Sequence, residues 1–171
     1  MPLRTSILSR GELPEAAFDL FRSAFPDDKY DQRAFWPPDS VHAVVYRDDQ
    51  LVAHAGFLVR PIRVDGRAIE TAYLEYVSAE PRRQGFGTLA MRALHDEIAR
   101  RAFAFAALAT GTPEFYESLG WLRWRGDRGY RMPDGKAVPT PDEIVMVLDL
   151  GAQVDVTAPI EADWRAGGDP W

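Results

Sequence analysis

Apolar Leu3, Ile7 and Leu8 flank polar Arg4, Thr5 and Ser6, and residues 3–8 are read as a short edge strand. From Glu12 to Phe25 the period changes. Ala17, Phe18, Phe21, Ala24 and Phe25 recur at helical spacing, Pro14 suits an early helical position, and Pro26 stops the run. Val41–Tyr46 reads as a strand, Arg47–Gln50 as a turn, and Leu51–Ile62 as the returning strand. One face of that strand carries Leu51, Ala53, Ala55, Phe57 and Val59; the other carries Val52, His54, Gly56 and Leu58. Asp65-Gly66 marks a hairpin, and Ile69–Ser78 pairs back to complete an antiparallel meander.

The second half reads differently. Thr88–Arg101 places Ala90, Met91, Leu94 and Ile98 on one helical stripe. Phe103–Ala109 is apolar without a break, as a strand buried on both faces would be. A helix carries the chain to it, so it is expected to lie parallel to Thr71–Ser78. Thr112-Pro113 opens a short helix that Gly120 ends. Trp121–Arg125 and Ile144–Leu150 read as strands, and 127–143 as a loop or loose hairpin. Residues 151–171 show no clear period and are expected to form a tail on a core of 1–150. The fold class is α/β (α+β): a mixed, mostly antiparallel sheet with a central parallel pair, flanked by helices, in a single domain over 1–171.

Composition narrows the chemistry. At 171 residues and 46% hydrophobic content, one full core is expected. There is no cysteine, which excludes disulfides and thiol catalysis. A net charge of −6 argues against nucleic acid and permits a cationic substrate. No apolar run reaches the length of a membrane span, and the N-terminus lacks a signal-peptide core, so a cytoplasmic protein with no membrane partner is expected. His42 and His54 read as ordinary sheet residues and His95 as a surface one. No His, Asp and Glu grouping has metal-ligand spacing, and no metal is expected.

Between the meander and the helix lies Val77-Ser-Ala-Glu-Pro-Arg82-Arg83-Gln84-Gly85-Phe86-Gly87-Thr88. A strand, a glycine loop and a helix N-terminus make an anion site, because the first helical N–H groups lack partners and the dipole favours negative charge. Gly85 and Gly87 let backbone approach a ligand, and Arg82 and Arg83 add positive charge. A phosphate or pyrophosphate is the expected guest; a plain glycine turn capping a helix is the alternative. A nucleotide P-loop is excluded, since Gly87-Thr88-Leu89 lacks the Lys of the Gly-Lys-Ser/Thr pattern, and so is a dinucleotide fingerprint with its distant acid. Pro26–Ser40 gathers Asp27, Asp28, Tyr30, Asp31, Phe35 and Trp36. It reads either as a solvated loop with a few anchoring rings or as a substrate wall offering rings and carboxylates to ammonium groups.

Arg82-Arg-Gln-Gly85-Phe-Gly87, following a strand that ends in Val77, resembles the acetyl-CoA pyrophosphate loop of the GNAT N-acetyltransferases. Glu114-Phe-Tyr116-Glu-Ser-Leu-Gly120-Trp121 resembles a second segment of that superfamily. The resemblance implies a splayed parallel pair that admits the cofactor's pantetheine arm. It implies cofactor contacts from Val77 and from Arg82, Arg83, Gln84, Gly85, Phe86, Gly87 and Thr88. Direct transfer from thioester to amine needs a base, donors on the carbonyl, a proton donor for the thiolate, and positioning. Glu75 is the candidate base, Tyr116 the candidate acid, and the Val77 N–H the candidate carbonyl donor. Period-two spacing puts Glu75 and Val77 on one strand face. A structural ion pair is the alternative for Glu75, and a buried ring for Tyr116.

Ala72-Tyr-Leu-Glu75-Tyr-Val77, Gly120-Trp-Leu-Arg-Trp124, Pro139-Thr-Pro-Asp142 and Asp163-Trp-Arg-Ala-Gly-Gly-Asp-Pro-Trp171 together resemble the aminoglycoside 2′-N-acetyltransferases. That likeness implies a polycationic aminoglycoside or aminocyclitol substrate, gentamicin-type or kasugamycin-type, and a homodimer. It places substrate carboxylates on Asp28 (or Asp31), Glu75, Asp142 and Asp169, with the carboxylate of Trp171 in the catalytic site. Trp36 joins the substrate residues from the loop reading. Trp171 as a packing anchor, a GNAT enzyme for another amine, and a non-catalytic acyl-CoA-binding module remain open alternatives.

Overall fold

The computed structural model describes residues 2–166, 170 and 171. It falls into two compact units, each made from two segments: residues 1–58 with 74–102, and residues 59–73 with 103–171.

In the first unit, β1 (Leu3–Ser9) pairs antiparallel with β2 (Val41–Arg47), and β2 with the first part of β3 (Gln50–Val64). The end of β4 (Arg67–Ala79) completes the unit's sheet. Pro14 caps α1 (Glu15–Ala24), which buries Ala17, Phe18, Leu20 and Phe21. Within the predicted 26–40 loop the chain forms a one-turn helix, α2 (Gln32–Phe35). The reason is local: the Asp31 carboxylate accepts the N–H groups of Arg33 and Ala34 and so nucleates the turn. α3 (Phe86–Arg100) starts two residues earlier than the apolar stripe suggested, because left-handed Gly85 supplies its cap. It packs on β1 and β2 through Ala90, Met91, Leu94 and Ile98.

In the second unit the strand order is β6 (Leu122–Arg123), β9 (Val145–Asp149), β5 (Phe105–Ala109), β4, β3, β10 (Ile160–Asp163), β7 (Arg128–Arg131) and β8 (Ala137–Pro139). The expected parallel pair is present: β4 and β5 register at Ala72 with Ala106 and Tyr73 with Ala107. The two-pair ladder is short, as a splayed pair requires. Asp65 and Gly66 both take positive φ in the β3–β4 turn, the conformation their types favour.

Residues 127–143 take the hairpin alternative, with β7 antiparallel to β8. Two readings need correction. The supposed tail contains a strand. β10 inserts between β3, to which it is antiparallel, and β7, to which it is parallel. Four residues are too few to show a period, so pairing in the sheet decides this strand. The strand after Gly120 is also shorter than expected, only Leu122–Arg123.

Candidate active site

The loop after β4 turns on two left-handed residues, Arg83 (φ +61°) and Gly85 (φ +80°), the kind of turn in which successive N–H groups converge. The first intrahelical bond of α3 runs from the Leu89 N–H to the Gly85 carbonyl, 3.1 Å. The N–H groups of Phe86, Gly87 and Thr88 precede it, and no side chain caps them. Arg82, Arg83 and Gln84 are exposed, and a Cβ built on Gly85 would meet open space. A fifteen-residue helix therefore presents its positive end to an accessible, cationic loop, and a polyanion such as a pyrophosphate fits it. A third arginine reaches the loop from β2: Arg47 donates to the side-chain amide oxygen of Gln84 at 3.2 Å and lies 5.3 Å from the Phe86 ring centroid. Sequence reading missed Arg47, because its local pattern is only that of the first residue of a turn.

Glu75 and Val77 flank the loop's approach on β4, both half-buried. Between them Tyr76 takes φ +51°. A left-handed residue interrupts the pleat, so the period-two argument that put Glu75 and Val77 on one face does not hold here. The Tyr76 ring stacks on Phe21 at 5.0 Å and meets Phe25 and Phe35 edge-on. Its hydroxyl donates to Asp28, and burial first, then that carboxylate, push the phenol well above its usual range.

The acidic and aromatic residues of the 26–40 segment divide. Asp28 is half-buried and accepts the Tyr30 N–H at 3.0 Å and the Gln32 amide at 3.3 Å as well as the Tyr76 hydroxyl. Asp31 is exposed and caps α2. The two share an open groove of about 480 Å³ with Arg22 and Arg33. Trp36 is only 1% exposed, packed edge-on to His42 at 4.4 Å. It is a core residue here and not part of a wall, because burying an indole outweighs leaving it in water.

The second unit holds the remaining candidates. α4 (Pro113–Glu117) presents Tyr116, 7% exposed, with its ring edge-on to Phe115 and Trp121. Asp142 is exposed in the segment after β8. Two residues before it, the Thr140 hydroxyl accepts the indole N–H of Trp171 at 3.0 Å. Trp171 is 4% exposed. Buried Arg60 of β3 donates to the Pro170 carbonyl at 2.8 Å and the Asp163 carbonyl at 2.7 Å, and its guanidinium lies 4.8 Å from the centroid of the Tyr73 ring. Pro170 and Trp171 are thus docked within this unit. Asp169, named as a substrate carboxylate, lies outside the described residues. Among the described residues, no three His, Asp or Glu side chains group to hold a metal ion.

Residues 8–123 match the family model described as the acetyltransferase (GNAT) domain. Over 169 residues the chain is 31% identical to an aminoglycoside 2′-N-acetyltransferase of Mycolicibacterium fortuitum, covering 94% of this chain and 86% of that one. The fold is similar to that of Escherichia coli ElaA, with a TM-score of 0.63, 18% identity and coverage of 86% and 100%. A conserved protein of Enterococcus faecalis V583 aligns with a TM-score of 0.63 at 20% identity over 74% of this chain, which spans 34% of that longer one. With a glycine loop at a helix N-terminus, a short parallel ladder and these likenesses, the chain belongs to the GNAT family of acetyltransferases, whose acyl donor is acetyl-CoA.

Proposed function

We propose that this acetyltransferase modifies an amino group, the 2′-amine, of an aminoglycoside or aminocyclitol such as a gentamicin-type or kasugamycin-type compound. The observation that carries this reading is the 31% identity along nearly the whole chain to a protein named for that activity. A net charge of −6 and the exposed carboxylates of Asp31 and Asp142 suit a polycation.

Residue roles follow from surroundings and from the family likeness. The N–H groups at the start of α3, with Arg82 and Arg83, hold the cofactor's pyrophosphate. Acetyl-CoA supplies the activated acetyl thioester. The Val77 N–H donates to the thioester carbonyl oxygen. Glu75 takes the proton from the attacking ammonium, directly or through water, and Tyr116 protonates the departing sulfur. Asp142 and the docked Trp171 hold the amine substrate, and Asp28 acts by fixing Tyr76 and the entry segment.

The test is release of free thiol from acetyl-CoA across a panel of gentamicin-type and kasugamycin-type aminoglycosides, polyamines and peptide N-termini, with the acetylated nitrogen identified by NMR. Turnover confined to aminoglycosides acetylated at N2′ is expected. Turnover only with polyamines or peptides refutes the substrate class. Acetyl-CoA binding without turnover on any amine refutes the enzyme reading and leaves an acyl-CoA-binding module.

A further inference from the structure

Two histidines that read as ordinary sheet residues form the middle of a buried chain of hydrogen bonds. The Ser40 hydroxyl lies 2.9 Å from His42 Nε2, His42 Nδ1 lies 2.9 Å from His54 Nε2, and His54 Nδ1 lies 2.8 Å from the Tyr76 carbonyl oxygen. Both imidazoles are fully buried and Ser40 nearly so. The direction of the chain is fixed by its end. A carbonyl only accepts, so His54 Nδ1 carries the hydrogen, and a neutral His54 must then accept at Nε2. His42 therefore donates from Nδ1 and accepts at Nε2 from Ser40. Burial holds both rings neutral, lowering His54 to about 4 and His42, with the neighbouring His54 adding to the effect, to about 2. Three aligned dipoles thus point their positive ends at one backbone carbonyl, and bonds in such a series strengthen one another.

That carbonyl belongs to the interrupted position in β4. A non-glycine residue at φ +51° costs about 1–3 kcal/mol and persists only where its surroundings over-determine it. Here they do. The Ser78 hydroxyl is a second donor to the Tyr76 carbonyl at 3.3 Å, and the phenol is tied to Asp28. Gly56 provides the room: a Cβ there would lie 2.8 Å from the Trp36 ring, 2.9 Å from His42 Nδ1 and 3.0 Å from His54 Cε1. The Tyr76–Val77 peptide is trans, so its carbonyl and its N–H leave in opposite directions. Fixing the carbonyl fixes the line of the N–H.

We propose that His54, aligned by His42 and Ser40, is a positioning residue that clamps the Tyr76 carbonyl and thereby aims and polarises the Val77 N–H toward the thioester carbonyl. The last step rests on the role given to Val77 above; the clamp itself does not.

The test begins with the wild-type protein, where imidazole ¹⁵N shifts report which nitrogen carries hydrogen. Nδ1–H on both His42 and His54 is expected; Nε2–H on His54 overturns the clamp. His54→Leu removes the donor, whereas His54→Asn keeps an amide N–H at the same distance from Cβ as Nδ1. In His54→Leu the Val77 amide ¹⁵N resonance should move and kcat should fall by about tenfold to a hundredfold, less than the loss of a whole oxyanion donor. The KM for acetyl-CoA should stay within about twofold, since uniform binding is untouched. His54→Asn should recover most of both changes. An unmoved Val77 resonance, or equal kcat in the two variants, overturns the proposal. Adding a non-reactive ketone analogue of acetyl-CoA separates the clamp from the role of Val77. A Val77 amide that ignores the analogue refutes that role and the aim toward the thioester, while the tautomers still decide the clamp.

Discussion

Each unit of this protein buries a polar device that pins a stretch of backbone, and the two devices are built from opposite chemistry. The first unit uses neutral histidines in series to fix a strained residue of β4. The second uses Arg60, a side chain that stays charged, to hold the C-terminal segment through two carbonyls and an aromatic face. A histidine can shed its proton to avoid the cost of a buried charge. An arginine cannot, so it must be surrounded by acceptors and a ring. The histidine chain is accordingly sensitive to acid, and the arginine clamp is not. The glycine-loop residues share the first unit with the histidines, while Tyr116, Asp142 and Trp171 share the second with Arg60. Damage to the glycine loop of the first unit should register in the acetyl-CoA KM, damage to its histidine chain in kcat, and damage in the second unit in amine parameters or in proton transfer.

The largest effect is expected at Tyr116. Tyr116→Phe should lower kcat by roughly ten- to a thousandfold with both KM values little changed, as loss of a general acid does. Wild-type kcat with chemistry shown to be rate-limiting removes Tyr116 from the mechanism. Next comes Gly87→Asp in the first unit. An aspartate in the first turn suits the helix dipole, so the protein should fold, yet the carboxylate occupies the anion site. The KM for acetyl-CoA should rise roughly a hundredfold while the amine KM stays level. An unchanged acetyl-CoA KM in the folded variant refutes the loop assignment.

Arg60→Met in the second unit keeps the apolar stem and removes the donors to Pro170 and Asp163. The amine KM should rise by about tenfold, equivalent to about 1.4 kcal/mol, with acetyl-CoA KM unchanged. A rise in acetyl-CoA KM instead breaks the division between the units. The remaining effect is on stability against pH and leaves the kinetic constants aside. His54 and His42 have folded pKa values below the unfolded 6.5, so below pH 6.5 the unfolded chain binds protons that the folded one does not. The stability they permit is intact above 6.5 and is lost as pH falls toward 4 for His54 and further for His42. Each contributes a slope of up to about 1.4 kcal/mol per pH unit. Half-buried His95 shifts the same way. Urea midpoints should therefore fall between pH 6.5 and 5, and a His42→Leu/His54→Leu double variant should flatten most of that slope. A double variant as steep as wild type would assign the slope to other groups.

Much of the first unit was legible because its signals are local. The stripe of Ala90, Met91, Leu94 and Ile98 announces α3, and Gly85-Phe86-Gly87 announces the turn before it, since helix period and glycine conformation are properties of neighbours in the chain. Asp28 was found as a carboxylate of interest, but its partner Tyr76 lies far along the sequence, and only folding shows that Asp28 braces a strand. Trp36 could be read as an anchoring ring or as part of a substrate wall, and only its packing on His42 and His54, residues of other strands, shows that it is an anchoring ring. β10 was illegible for the same reason. Ile160–Asp163 has no pattern of its own and becomes a strand by pairing with β3 and β7.

By itself the sequence determined the succession of helices and strands apart from α2 and β10, the parallel step from β4 to β5, the cationic glycine loop and the family. These follow from period, turn chemistry and motif, all of which act over a few adjacent residues. Only the tertiary structure decided that Tyr76 is left-handed, that His42 and His54 stand in line behind its carbonyl, that Gly56 makes room for them, and that Arg60 reaches Pro170. Those outcomes depend on contacts between residues distant in the chain, where the cost of burying a polar group is met by a partner that no local pattern names.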